Sequence, residues 1–247
     1  VVCGTANKAL VIHHLRSDPD DAATGALAAA GFELDHRHPI EGDPLPDLGD
    51  GHTIALMHGS LADVTKHHEP GIAEEMRWIE AWWASGRPFF GICHGLQLAC
   101  QLLGARVGPP EHGKAEFGYY PLRSFDEDLV PDGLPVFQWH YYGADLPQGA
   151  VRLAGSDLYP NQILRFGSAR YGVQCHAEMS LTGQRYLLDR DTGWAGRRGV
   201  QQRDEQERRA IAHYAAMRAW FAGFLQRWLD ECRTATNAIP PRSIDRC

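Results

Sequence analysis

The sequence predicts an α/β protein: a mostly parallel central sheet with helices on both faces and a smaller antiparallel strand element. Three observations lead there. Short apolar runs alternate with helix-period segments from Ala9 to Gly104, the rhythm of strands joined by crossover helices. Turn residues such as Gly31, Ser85-Gly86 and Gly104 close each helical segment. Beyond Gly104 the helices give way to short strand-like pieces separated by turns.

Ala9 to Ile12 reads as a buried parallel strand. A helix is expected over Asp18 to Ala30, opened by Asp18-Pro19 and closed by Gly31. Strands follow at Phe32 to Asp35 and Thr53 to Met57. Glu69 to Trp83 carries Ile72, Met76, Ile79 and Trp83 at near-helical spacing. Pro88 to Ile92 is a fourth strand, running directly into Cys93, and a helix from about Gly95 to Leu103 comes next. The later pieces are Phe117 to Leu122, Val136 to Trp139, Val151 to Ala154, Gln162 to Phe166 and Tyr171 to Cys175. Arg203 to Glu231 is a long helix with Ile211, Tyr214, Met217, Phe221, Phe224 and Trp228 as its apolar stripe. We expect one domain over residues 1–232 and an irregular tail over 233–247, which contains Pro240-Pro241.

The 247 residues are 44% apolar and 22% charged, ordinary for a globular protein with a substantial core. A net charge of -7 with no basic, aromatic-interleaved run argues against nucleic acid. No apolar stretch reaches membrane-spanning length. The start lacks the charged and apolar regions of a secretory signal. Six cysteines, at 3, 93, 100, 175, 232 and 247, show no paired spacing, so reduced thiols and a cytoplasmic location are expected.

Cys93 stands apart. Gly91-Ile92-Cys93-His94-Gly95 has the form Gly-x-nucleophile-x-Gly at a strand-to-helix junction. A sharp turn lifts such a nucleophile off the strand end, and flanking glycines allow strained backbone and close approach of substrate. The following helix points its positive end at the sulfur, and the His94 backbone N–H becomes an oxyanion donor. Downstream, Gln174-Cys175-His176-Ala177-Glu178 offers a general base and a carboxylate to orient it. Cys93, His176 and Glu178 together follow the logic of the serine triad with a thiol in front.

With these residues assembled, the chain resembles the class I (triad) glutamine amidotransferases, in particular stand-alone domains similar to the glutaminase part of GMP synthase. The segments that carry the resemblance are His58-Gly59-Ser60, Gly91-Ile92-Cys93-His94-Gly95-Leu96-Gln97, Glu116-Phe117-Gly118-Tyr119-Tyr120-Pro121, Phe137-Gln138-Trp139-His140 and Gln174-Cys175-His176-Ala177-Glu178. They occur in the family's order over roughly residues 8 to 180. The resemblance implies a flavodoxin-like sheet with the site at the strands' carboxyl ends. It implies that Cys93 forms a γ-glutamyl thioester while His176 moves the proton and Glu178 holds its ring. It also implies that Gly59 joins the His94 N–H at the oxyanion, that Gln97 contacts substrate, and that the segment after His140 holds the amino and carboxylate groups of glutamine.

The chain departs from the family pattern at His58-Gly59-Ser60 in place of Gly-Gly-Pro, at Ala177 in place of Pro, and at His94 in place of Leu or Tyr. His140-Tyr141-Tyr142 replaces the usual His-Gly-Asp, and the two tyrosines should reshape the substrate pocket. Three functions remain open: glutamine hydrolysis, hydrolysis of γ-glutamyl peptides or conjugates by the same triad, and a non-catalytic binding role. No P-loop pattern occurs in these residues, so any ammonia-accepting synthetase is expected on another chain. No cofactor and no metal are expected. His36-Arg37-His38 and His67-His68 read as surface histidines. Trp78, Trp82 and Trp83 read as helix packing, and Glu116 as a structural carboxylate.

Overall fold

A computed structural model of the chain describes residues 7–15, 18–66, 69–190 and 193–238. Their elements, in order, are β1 (Lys8–Ile12), α1 (Ala22–Ala29), β2 (Glu33–Arg37), β3 (His52–Met57), α2 (Pro70–Ala84), β4 (Phe89–Ile92) and α3 (His94–Leu102). β5 (Val107–Gly108), β6 (Glu116–Pro121), β7 (Arg123–Ser124), β8 (Pro135–His140), β9 (Gly143–Ala144) and β10 (Val151–Gly155) follow. The chain then forms β11 (Ile163–Gly167), β12 (Arg170–Val173), α4 (Leu181–Leu188) and α5 (Arg203–Ala238).

Eight strands form one sheet in the order β2-β1-β3-β4-β12-β11-β10-β7. The first five run parallel and the last three antiparallel. The parallel part has the flavodoxin-like order 2-1-3-4-5, with β12 in the fifth place, so the direction of winding switches between β1 and β3. The pairs β5-β9 and β6-β8 make two small antiparallel sheets.

Alternation along the strands builds two apolar layers. Ala9, Val11, Ile54, Leu56, Phe90 and Ile92 face one way, against α1 and α5. Leu10, Ile12, Ala55, Met57 and Phe89 face the other, against α2 and α3. The tryptophans of α2 pack as expected. Trp78 and Trp82 stack at 5.1 Å, and their indole N–H groups donate to the Pro46 and Pro88 carbonyls.

Several boundaries move for local reasons. The first helix begins at Ala22 rather than near Asp18, because Asp21 is its cap and accepts from the Thr24 N–H at 2.7 Å. β12 stops at Val173, and Gln174 to Glu178 continue as a turn. α5 runs through Ala238, so residues 233–238 are helical rather than an irregular tail. No Gly or Pro interrupts it there, and Thr234 Oγ1 donates back to the Asp230 carbonyl. Residues 239–247, like His67 and His68, lie outside the described residues. Ile211 does not belong to the apolar stripe: it is 88% exposed. At 100° per residue it sits about 80° around the helix from Phe221, beyond the face that meets the sheet.

That difference is measurable. Phe221→Ala should cost about 3–5 kcal/mol in urea denaturation, while Ile211→Ala should stay within about 0.5 kcal/mol. Equal effects would refute the assigned helix face.

Candidate active site

The elbow is built by close contacts that only glycine permits. A Cβ on Gly91 would stand 2.5 Å from the carbonyl carbon of Gly95, and one on Gly95 would stand 2.6 Å from the Met57 oxygen. Cys93, between them, has φ 49° and ψ -95°, a left-handed conformation that costs a non-glycine residue about 1–3 kcal/mol. The turn aims the thiol out from the sheet's carboxyl edge, and α3 begins at the next residue. The first N–H groups of that helix lack intrahelical acceptors, which makes the His94 amide an anion donor.

Parallel pairing of β4 with β12 sets Ile92 beside Val173, and the Cys93 N–H donates to the Val173 carbonyl at 2.7 Å. Leaving β12, the chain turns so that the His176 N–H donates to the Phe137 carbonyl of β8 at 2.8 Å. His176 Nδ1 then lies 2.8 Å from Glu178 Oε1, and both residues are buried. Burial alone would lower the His176 pKa. The Glu178 charge and hydrogen bonding with Cys93 and Glu178 outweigh it, raising the pKa to about 10. Glutamine Gln174 adds an Nε2–H···Sγ contact to Cys93 at 3.3 Å.

Gly59 closes the group from β3. A Cβ there would come within 2.6 Å of His176 Cε1 and 3.5 Å of Cys93 Cβ. Gln97, one turn into α3, donates to the Tyr142 carbonyl and to Gln174 Oε1, each at 3.2 Å. Cys93, His176, Glu178, Gly59, His94, Gln97, Tyr141 and Tyr142 are therefore gathered at one edge of the sheet. A cavity of about 540 Å³ opens over Cys93 and Gln97, with Phe117, Trp139, Tyr141 and Trp194 among its walls. Tyr142 donates to Asp63 Oδ2 across it at 3.1 Å. Glu116 lies behind this wall, fully buried, accepting from Ser156 and Gln162.

Other site residues escaped the sequence reading. Glu75 of α2 is 1% exposed and binds two imidazoles, His14 Nε2 at 2.6 Å and His94 Nε2 at 3.0 Å. His14 Nδ1 reaches the His58 carbonyl at 3.1 Å. One carboxylate thus ties the end of β1, the turn before Gly59 and the residue after Cys93. The signal was present in the sequence: Glu75 falls on the buried stripe defined by Ile72, Met76 and Ile79, where a lone carboxylate needs partners. Gln174 lay within the Gln174-to-Glu178 segment without a role being assigned to it, and Trp194 and Arg197 had no signal, since only folding brings them to the cavity over Cys93.

The comparisons agree with this geometry. The sequence model of the family "Glutamine amidotransferase class-I" matches residues 55–192, a span holding the elbow and the His176-Ala177-Glu178 turn. The chain belongs to the class I glutamine amidotransferases, and is an enzyme of that type. It is 32% identical over 220 residues to YfeJ, a glutamine amidotransferase-like protein of Salmonella typhimurium, covering 83% of this chain and 88% of that one. It is 39% identical over 103 residues to a glutamine-hydrolysing GMP synthase of Prochlorococcus marinus, covering 39% of this chain and 19% of the synthase. A solved glutamine amidotransferase from Methylobacillus flagellatus superposes with a TM-score of 0.83 at 22% identity, covering 92% of this chain and 96% of that one. Among the described residues, no helix is long and apolar enough to cross a membrane.

Glu75 supplies a prediction. Burial opposes its charge, but the hydrogen bonds from His14 and His94 prevail and lower its pKa to about 2. Above the ordinary carboxylate range near 4.5 the folded state gains the full benefit, lost as pH falls toward 2. Glu75→Gln should therefore destabilise by about 3 kcal/mol at pH 6, with the gap to the parent closing between pH 4.5 and 2 in denaturation series. A gap independent of pH would show that the charge is not responsible.

Proposed function

We propose that the protein hydrolyses the side-chain amide of glutamine through a thioester on Cys93, releasing glutamate and ammonia. The observation that carries this reading is the thiol on its left-handed turn beside an imidazole held by a buried carboxylate. Cys93 gives its thiol proton to His176, its Sγ attacks the amide carbon, and the carbonyl electrons move onto oxygen, returning to re-form the C=O when the C–N bond breaks. The Gly59 and His94 N–H groups face that oxyanion. His176 passes a proton to the amide nitrogen, the C–N bond breaks, and ammonia leaves with a γ-glutamyl thioester behind. Water then attacks, His176 takes its proton, and the thiolate departs to give glutamate. Glu178 holds the His176 ring with its other nitrogen toward sulfur throughout. Gln97 and the backbone after His140, joined by the Gln97–Tyr142 bond, position the substrate. The ammonia serves an acceptor synthetase activity, as the likeness to a glutamine-hydrolysing GMP synthase suggests.

The width of the cavity favours a second substrate class. About 540 Å³ beside Cys93 is room of the size that holds drug-like ligands, enough for a glutamyl group together with a leaving amine larger than ammonia. The same triad would then cleave γ-glutamyl peptides or conjugates, with the larger amine lying against Trp139, Tyr141 and Trp194.

Two measurements separate these outcomes. Cys93→Ala and His176→Ala should each lower glutamate release from glutamine by about 10³-fold or more, and an active Cys93→Ala would end the thioester reading. A kcat/KM for glutamine more than about tenfold above that for γ-glutamyl anilides and peptides, equal to about 1.4 kcal/mol of transition-state binding, would retire the conjugate substrates. The reverse ratio would establish them.

A further inference from the structure

A second cluster shares Glu178 with the triad and adds Asp21 and His58, which have no part in the proposed chemistry. Asp21, His58 and Glu178 each offer a ligand atom, all within 4.8 Å of one another. His58 Nε2 is 3.8 Å from Asp21 Oδ1, close to the roughly 3.3 Å edge of a tetrahedron with metal–ligand bonds near 2.0 Å. They line a small hollow of about 40 Å³, enough for one ion with its waters. Glu178 Oε1 is committed to His176, whereas Glu178 Oε2 is buried without a hydrogen-bond partner among the described residues. An unpaired carboxylate oxygen in that setting is costly.

Placement adds to the argument. The hollow sits at the carboxyl ends of β1 and β3, where the sheet switches direction and open α/β folds bind ligands. A column of imidazoles leads into it. His13 stacks on His58 at 4.9 Å, on His36 at 5.1 Å and on His38 at 5.0 Å, and His36 is exposed to solvent. The Thr24 hydroxyl contacts His58 Nε2 at 3.2 Å and can rotate to release it.

We infer that Asp21, His58 and Glu178 bind one divalent cation of borderline character, such as Zn2+, Co2+ or Ni2+, with water completing the coordination. One nitrogen and two carboxylate donors suit those ions. The site needs no glutaminase activity to exist. Its bridge to the triad is Glu178, whose one oxygen would hold the ion while the other holds His176.

Calorimetric titration of Zn2+ into the Cys93→Ala protein tests this without interference from the thiol. One site should appear, weakened at least tenfold by Asp21→Asn, which retains the helix cap, and by His58→Gln, with circular dichroism confirming both folds. Co2+ added to the unmodified protein supplies a reading that needs no variant: visible d–d bands with no thiolate charge-transfer band. Absence of binding, binding indifferent to Asp21→Asn, or a thiolate band would each overturn the assignment.

Discussion

The site depends on one pairing, that of β4 with β12. Ile92 lies beside Val173 in parallel register, and the Cys93 N–H closes the ladder on the Val173 carbonyl. Everything after that bond is short-range. Two residues past Val173 comes Cys175, then His176, whose position is fixed by a bond to β8. A slip of one residue would turn every side chain of β12 to the opposite layer and shift the turn that carries His176 relative to Cys93. The register is well defended, because Tyr171 and Val173 are in one core layer with Phe90 and Ile92, and the α5 aromatics pack on Phe90 and Tyr171.

Around that pairing the protein tolerates electrostatic tension for geometry. Cys93 stands in a backbone conformation foreign to its residue type. His176, Glu178, Glu75, His14 and His94 are all buried ionisable groups. What offsets the cost is pairing: each carboxylate here has an imidazole within 3.0 Å. Glu75 does so twice, which explains how the buried His94 imidazole is accommodated beside Cys93. Its ring does not enter the cavity; it is turned back onto α2 while its amide stays at the helix start.

Much of this was legible before any coordinates. The parallel half of the sheet announced itself because buried strands are continuous apolar runs and their helices end in glycine. The elbow was legible because its glycines are compulsory, as the contacts of Gly91 and Gly95 show. Other features were not. β5, β7 and β9 are two residues each, too short to carry a period. α4 went unnoticed although Ser180 caps it through the Gly183 N–H, because its eight residues bury little besides Leu187 and Gln184. His36 is exposed as the surface reading expects, but both it and His38 stack on His13, which also stacks on His58; that convergence was hidden because β1, β2 and β3 end side by side and a sequence gives no sight of neighbouring strand ends. Ile211 was misassigned because a period read over a long helix cannot say where its contact with the sheet begins.

The burial of three further cysteines among the described residues has a consequence for oxidative chemistry. Cys100, Cys175 and Cys232 are sealed in apolar surroundings, and burial pushes their thiols up, Cys100 to about 12. Peroxides and electrophiles act on thiolates they can reach. Of the four cysteines among the described residues only Cys93 lines the open cavity, so among these four oxidant damage would concentrate on one atom and, on the proposed mechanism, stop hydrolysis while leaving the core untouched.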